Sequence, residues 1–457
     1  MSKRIFILTI IFLFITTMGF GCKGLSQTEQ KTVKPIRLNY WTVYNDVDQL
    51  KELANAYTAG RPHVSISIRK VRPDEFEKLL TNALADDVAP DIVSIPVKEL
   101  KKYQKRLSVM PASVQVSNLQ VTGQYIKETQ VLTQTNNLPS LNAIKSNYIT
   151  TVNNDITKGG TVYGLPISVD TLALYYNKDI FDKANIPEPP KTWDEFVEAV
   201  KKTTKVDANG NIIQSGVALG TGKNIDNSFD VLSLFMMQGG VSMANGSVVT
   251  FANGLDKPLA GNFTIKALDF YTDFARPTKE VYTWNKKQEN ALTSFVRGKT
   301  AMYFGFAFDL PTIKSRGANI NLGIIPVPQL SMDVPVNVAN YYVESVVEKS
   351  KNKNDAWDFV RFVTAPENVK KYTDKTLRLS PYRVHIKDQQ ENISLKPFTE
   401  QILNIKNWYQ GTNYQSAKQA LDNLVELYVE PYEGELPIEK YKASLINNAS
   451  RIIQQTM

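Results

Sequence analysis

One cysteine and two histidines in 457 residues leave little material for several kinds of chemistry. A lone cysteine, Cys22, cannot close a disulfide within the chain. His63 and His385 lie in unrelated segments, so neither a histidine-built metal site nor a Ser-His-Asp triad has its parts, and each reads as a surface or satisfied structural residue. Runs of like charge are missing too. Lys+Arg 53 against Asp+Glu 45 give +8, but the charges are scattered, in pairs such as Lys101-Lys102 and Lys201-Lys202. A nucleic-acid partner would call for a concentrated basic stripe, so none is expected. Phosphate loops fail as well: Arg297-Gly298-Lys299-Thr300 resembles the end of one, yet Thr293 stands where its first glycine is required. Gly220-Thr221-Gly222-Lys223 lacks the remaining spacing. The expectation is a chain with no cofactor, no metal and no ATP site.

What is present suits a folded protein. An apolar fraction of 42% with 21% charged residues is globular composition, and the length accommodates two domains with separate cores. Residues 1–21 read differently. Lys3 and Arg4 precede an apolar run from Ile5 to Phe20 that is short for a membrane span and is followed by small residues, the layout of a secretory signal peptide. Cys22 comes next. The boundary resembles a bacterial lipoprotein processing site, although Gly19 stands where leucine is commonest and Phe20 where a small residue is usual. That resemblance implies a diacylglyceryl group on Cys22 and a chain exported and anchored to the outer face of the cell membrane. Residues 22–35, polar from Lys23 to Lys34, then form a flexible tether. The alternative is an ordinary secreted protein with a leftover thiol.

From Arg37 onward strands and helices alternate. Arg37 to Trp41 reads as a strand, and Asp48 to Gly60 as a helix with Leu50, Leu53, Ala54 and Tyr57 on one face. Val64 to Ile68 is a second strand, Glu75 to Leu84 a second helix, and Asp91 to Ile95 a third strand. This order predicts an α/β fold with a mainly parallel sheet covered on both faces. Residues 107–158 are rich in Gln, Asn, Thr and Ser, with weak helical signals from Ile126 to Leu132, and are expected to form short surface helices. Thr192 is placed to cap a helix running to about Thr203, and Asn227 to Gly239 is apolar enough for a buried helix. Thr300 to Phe304 and Val338 to Val347 read as strands, and Ser416 to Val429 and Ile438 to Gln455 as helices.

Two features point toward function. In Thr161 to Asp179 a Gly164-Leu165-Pro166 turn feeds a strand in which Leu172, Leu174 and Tyr176 alternate with their neighbours, and Asp170 sits at its entrance. A carboxylate there is either solvated or aimed into a cleft. The second feature is aromatic: Trp41, Phe306, Phe308, Tyr341, Tyr342 and Tyr414 stand at strand ends or turns. Sugar rings present apolar CH faces beside hydroxyls, so a sugar site needs flat aromatic surfaces and a few fixed polar groups. Each aromatic alone is more simply core packing; the set favours carbohydrate.

Leu38 to Trp41, Ala89 to Val93, Tyr163 to Asp179, Pro190 to Phe196, Gln238 to Gly240, Phe295 to Met302 and Asp355 to Pro366 together resemble the solute-binding proteins of bacterial ABC importers, in the sugar-binding family that includes maltose-binding protein. The Tyr175-Tyr176-Asn177-Lys178-Asp179 and Pro190-Lys191-Thr192-Trp193-Asp194-Glu195-Phe196 blocks, in that order and spacing, carry most of the likeness. It implies a two-lobed periplasmic-binding-protein-like fold, each lobe a mainly parallel sheet flanked by helices. Residues 36–168 plus 343–386 would form lobe 1 and 172–339 plus 390–457 lobe 2, with a hinge near 169–172, 339–343 and 386–393. By position it implies cleft residues Trp41, Tyr44, Ser94, Ile95, Lys98, Asp170, Asn227, Phe229, Phe306, Phe308, Asn340, Tyr341 and Tyr414. Asp170, Asn227 and Asn340 would meet hydroxyls while the aromatics stack. The family's tryptophan near Phe308 is absent, and the polar pair often found after the third strand is here Lys98-Glu99. The implied partners are a small-molecule solute, in particular a sugar, the ABC permease and a lipid anchor, around a monomer.

Two other readings stay open on the residues. A secreted carbohydrate-active enzyme would pair Asp170 with Asp309 or Glu344, although no acidic motif accompanies them. A receptor for peptides, amines or metal is the other; scarce histidines weigh against metal, and the lack of a clear acidic cluster in the sequence against polyamines.

Overall fold

A computed structural model describes residues 34–122, 128–255 and 261–457. The expected signal peptide, Cys22 and most of the tether lie outside the described residues.

The chain opens with β1 (Ile36–Thr42), α1 (Val47–Thr58), β2 (Val64–Lys70), α2 (Pro73–Ala85) and β3 (Ile92–Pro96). Asp46 caps α1 by accepting the Asp48 and Gln49 N–H groups, and Leu50, Leu53, Ala54 and Tyr57 are its buried face, as the periodicity predicts. Pro73 takes the first turn of α2, where its missing N–H costs nothing. A hairpin of β4 (Ser113–Thr122) and β5 (Glu128–Asn137) follows. Short surface helices were expected here, and they begin only at Leu141–Asn147 and Thr150–Ile156. The strand signal is Val114 and Val116 buried on either side of exposed Gln115, with Ser117 half-buried, a period of two. Of the weak helical segment, Ile126 and Lys127 are outside the described residues and the remainder stands in β5.

The second half contains β6 (Leu172–Asn177), α3 (Trp193–Thr203), β7 (Ile212–Val217), α4 (Ser228–Gln238), α5 (Phe263–Asp273), β8 (Thr300–Phe306), β9 (Leu322–Ile325), β10 (Tyr342–Val346), α6 (Lys353–Val363), α7 (Tyr414–Val429) and α8 (Ile438–Gln454). One sheet has the order β10-β3-β1-β2; the other has the core order β9-β6-β8-β7 with a short edge strand, Lys205–Val206. The protein has two lobes, each a sheet flanked by helices.

A mainly parallel sheet describes the first lobe, where β1 pairs in parallel with both β2 and β3 and only β10 is reversed. It does not describe the second. There β7 and β8 are parallel, but β6 is antiparallel to both β8 and β9. The cause lies in the crossings: β6 and β10 each enter their sheet from the other lobe and run away from the cleft, while the neighbouring strands run toward it. In lobe 1 the reversed strand is at the edge and makes one antiparallel ladder. In lobe 2 it is interior and makes two.

The crossings pack on one another. Asp170 bridges Asn340, and Val169 bridges Leu379. Leu165 bridges Glu344 of β10, and Gly164 must pack close behind it, since a Cβ there would lie 3.0 Å from the Glu344 carbonyl oxygen. Tyr342, expected at the second crossing, is already in β10 opposite Pro96. A third passage follows Ile386–Gln390, whose Gln389 binds Ser380 and Arg378 of the first lobe, and reaches Lys396–Thr399 against β6 and β9.

Candidate functional site

The strands that run toward the interface end in loops around a cleft of about 730 Å³. Val43 and Tyr44 follow β1, Pro96 ends β3 and Lys98 and Glu99 follow it, Phe308 and Asp309 follow β8, and Asn227 and Asp230 open α4. Asn340 comes from the second crossing, Tyr342 from the start of β10, and Tyr414, Gln415 and Lys418 from the first turns of α7. The carboxyl ends of strands on both sides of a crevice are the usual place for a ligand in such sheets.

Aromatic rings form one wall. The Tyr44 ring lies 5.7 Å from Phe308 and 5.1 Å from Tyr342, both tilted, and Phe308 is backed by Phe306, stacked at 5.3 Å. A second group backs the lining ring of Tyr414, which Phe229 meets edge-on at 5.1 Å while stacking on Trp408 at 5.3 Å. Between the lobes Lys98, 5% exposed, reaches Asp230 at 2.6 Å, with its ammonium 5.0 Å from the Tyr414 ring centre and 5.5 Å from Phe229. This ion pair joins one lobe to the other inside the cleft.

Asp170 has another task. Its carboxylate accepts the N–H groups of Thr171 (2.8 Å), Ala307 (2.8 Å) and Phe308 (2.9 Å), and its own carbonyl accepts from Asn340. It does not line the cleft; it fastens the loop that carries Phe308 to the first crossing. Burial pushes its carboxyl up to about 7 against the pull of those N–H donors. Asp309 is likewise pushed up to about 7 by burial, opposed by the Phe306 N–H and reinforced by the Asp170 charge. Gly305 makes room here: a Cβ would stand 2.5 Å from Tyr303 and 2.9 Å from the Asp309 carboxylate.

Of the residues named from sequence, the structure brings Tyr44, Lys98, Asn227, Phe308, Asn340 and Tyr414 together on the cleft. Asn227 donates to Tyr303 Oη and the Phe304 carbonyl, both at 3.2 Å. The others are not on it. Trp41 lies under the Arg69 guanidinium, 5.0 Å from its ring centre, on the neighbouring strand. Ser94 binds Thr42 and Glu344 within the first core, and Ile95 is fully buried. Phe229 and Phe306 are buried behind the lining rings. Tyr341 points the other way and donates to Asp155 at 2.8 Å, leaving Tyr342 on the cleft, because successive side chains of an extended segment face opposite sides. Sequence reasoning missed Glu99, Asp226, Asp230, Tyr303 and Lys418. Asp226 and Asp230 flank the named Asn227 within one helical turn, and that spacing was the available signal.

The sequence pattern of the family described as bacterial extracellular solute-binding protein matches residues 44–370, the greater part of the chain. The chain belongs to that family. Relatives extend the likeness: the multiple sugar-binding protein of Streptococcus mutans is 25% identical over 410 residues, 87% of this chain and 86% of its own. A maltotriose-binding protein of Pyrococcus abyssi is 27% identical over 220 residues, 46% of this chain and 42% of its own. Among solved structures, an ABC-transporter solute-binding protein of Thermotoga lettingae bound to α-D-tagatose superposes with a TM-score of 0.67 at 18% identity, covering 92% of this chain and 100% of that one. A cyclo/maltodextrin-binding protein complexed with maltotetraose gives 0.66 at 17%, over 92% and 97%.

A solute-binding protein is a receptor and not an enzyme, and the carboxylates that would serve as a catalytic pair stand accordingly. Glu344 is buried in the first core with Tyr40, Asn45 and Ser94 as donors. Asp170 is taken up by backbone N–H groups. Neither faces a substrate-sized space.

Proposed function

We propose that this solute-binding protein captures a sugar or oligosaccharide in its cleft and presents it to the permease of an ABC importer. The observation that carries the reading is the set of aromatic rings lining one cleft, Tyr44, Phe308, Tyr342 and Tyr414, with Asn227 and Asn340 as polar groups on the same lining. Flat rings with a few oriented hydrogen-bonding groups suit a sugar better than a peptide or a bare ion. The relatives and fold neighbours that bind sugars support the same choice.

Capture works by closure. Solute meets one lobe and favours the closed arrangement only by its extra contacts there, with residues 169–172, 339–343 and 386–393 absorbing the change in backbone angle. Lobe 1 is 36–168 plus 343–386, and lobe 2 is 172–339 plus 390–457. Export through residues 1–21, lipidation of Cys22, a tether over residues 22–35 and a monomeric receptor on the outer face of the membrane complete the reading.

Thermal unfolding of the purified protein with a panel of mono- and oligosaccharides tests it. Stabilisation without turnover is expected for at least one sugar, and Phe308→Ala removes most of that shift. Released products, or stabilisation by peptides alone, would overturn the reading. Radiolabelled palmitate retained by the wild-type cell protein and lost in Cys22→Ala tests the anchor.

A further inference from the structure

The cleft is acidic although the chain is basic. Its lining includes the carboxylates of Asp74, Glu77, Glu99, Asp226, Asp230 and Asp309 against two lysines, Lys98 and Lys418, in a chain of net charge +8. Some of these are matched within the protein: Asp230 by Lys98 at 2.6 Å, Glu77 by Lys102 at 2.7 Å and Asp74 by Arg72 at 2.9 Å. Lys418 is engaged by Asp422 at 2.7 Å, outside the cleft lining. Among the described residues Glu99, Asp226 and Asp309 have no cationic partner.

Asp309 is the informative one. It is only 6% exposed, yet both of its hydrogen bonds, from the Phe306 N–H at 3.0 Å and Tyr303 Oη at 3.2 Å, go to Oδ2. Oδ1 receives no donor from the described chain, and the residue lines the cleft. Asp226 precedes Asn227, whose Nδ2 donates at 3.2 Å to the same Tyr303 hydroxyl that donates to Asp309 at 3.2 Å, and both carboxylates line the cleft. A neutral hydroxyl satisfies an oxygen but leaves the buried Asp309 carboxyl pushed toward its neutral form; an ammonium supplies a donor and also draws that carboxyl back to its charged form beside Asp226. Lys98 provides the precedent inside the same cleft, its ammonium held by one carboxylate and two ring faces. Tyr44 and Phe308 beside Asp226 and Asp309 offer the same combination to a solute.

We infer that the solute is an amino-bearing sugar or oligosaccharide, its ammonium between Asp226 and Asp309 and its ring against Tyr44 and Phe308. This rests on the sugar-capture reading and narrows it.

Isothermal titration of the full-length protein at pH 6.5 would use β-1,4-linked glucosamine oligomers, the same oligomers N-acetylated, cello-oligosaccharides and spermidine. The glucosamine oligomers are expected to bind at least about tenfold more tightly than the acetylated or neutral ones, with a preference that shrinks as salt rises. Asp226→Asn, at an exposed position where one carboxylate oxygen already accepts the Asn290 Nδ2 amide at 2.8 Å and the other is left for a ligand, is expected to weaken the amino oligomers about tenfold more than the neutral ones. Neutral or acetylated sugars bound as tightly as amino sugars would overturn the charge inference and leave sugar capture standing. Binding of spermidine with no sugar bound, or no binding by any probe, would overturn both.

Discussion

Asp170 shows how a single carboxylate can shape a cleft that it does not line. It collects three backbone N–H donors and so decides where the Phe308 ring stands. In Asp170→Asn an amide NH₂ replaces one acceptor oxygen and at least one donor loses its partner. The expected cost is about 1–3 kcal/mol in urea unfolding, with weaker sugar binding through a displaced Phe308. Unchanged stability and affinity would show that the loop holds its shape without the carboxylate. Phe308→Ala, by contrast, leaves the loop's hydrogen bonds in place and is expected to reduce affinity roughly tenfold by titration calorimetry, since a ring contact is worth about 1 kcal/mol beyond its buried area.

At the scale of elements, capping and alternation explain what a sequence reader finds. Thr192 and Glu195 form a reciprocal capping box at the start of α3, each side chain satisfying the other's backbone N–H. Thr192→Ala is expected to cost about 1 kcal/mol by chemical denaturation without altering the cleft, which lies elsewhere. A loss of ligand affinity equal to that of Phe308→Ala would contradict this separation. The same local rules made α1, α3 and α4 legible with boundaries close to those observed. They failed in the hairpin β4–β5, where polar Gln, Thr and Asn obscure a period of two that only Val114 and Val116 report. They failed also by one residue at Tyr341 and Tyr342, because in an extended segment a shift of one exchanges the inward and outward faces.

Among the polar contacts that join segments far apart in the chain, two are open to test at the scale of the whole molecule. Lys98–Asp230 spans the cleft, and Asp230→Asn leaves the Lys98 ammonium without its counter-ion in a buried place. Opening the cleft hydrates it, so the variant is expected to show a larger radius of gyration in solution scattering without ligand and to close again when sugar binds. An unchanged profile would show that the pair does not hold the lobes together. The other contact is Asp155, which accepts Tyr341 Oη, Asn407 Nδ2 and Gln410 Nε2 where the crossings meet. Burial pushes its carboxyl up to about 7, with Lys158 and these donors opposing. A raised carboxyl contributes stability that is fully present below its unfolded pKa of about 4 and is lost as pH rises through about 7. The fall in melting temperature between pH 5.5 and pH 8 should therefore be smaller in Asp155→Asn than in the parent; an equal fall would assign the dependence to other groups.

From its own residues the chain determined its helices, most of its strands, its poverty in catalytic material and, by likeness, its family. Those depend on period, caps and composition, which act over a few residues or add over the whole. Tertiary structure alone decided which of the named residues share the cleft, that Asp170 fastens a loop and does not line that cleft, and that several carboxylates gather on its lining. The reason is distance along the chain. Lys98 and Asp230 are 132 residues apart, and Asp170 and Phe308 are 138, so no local rule relates them. Only the packing of two sheets and the crossings between them brings their atoms within reach.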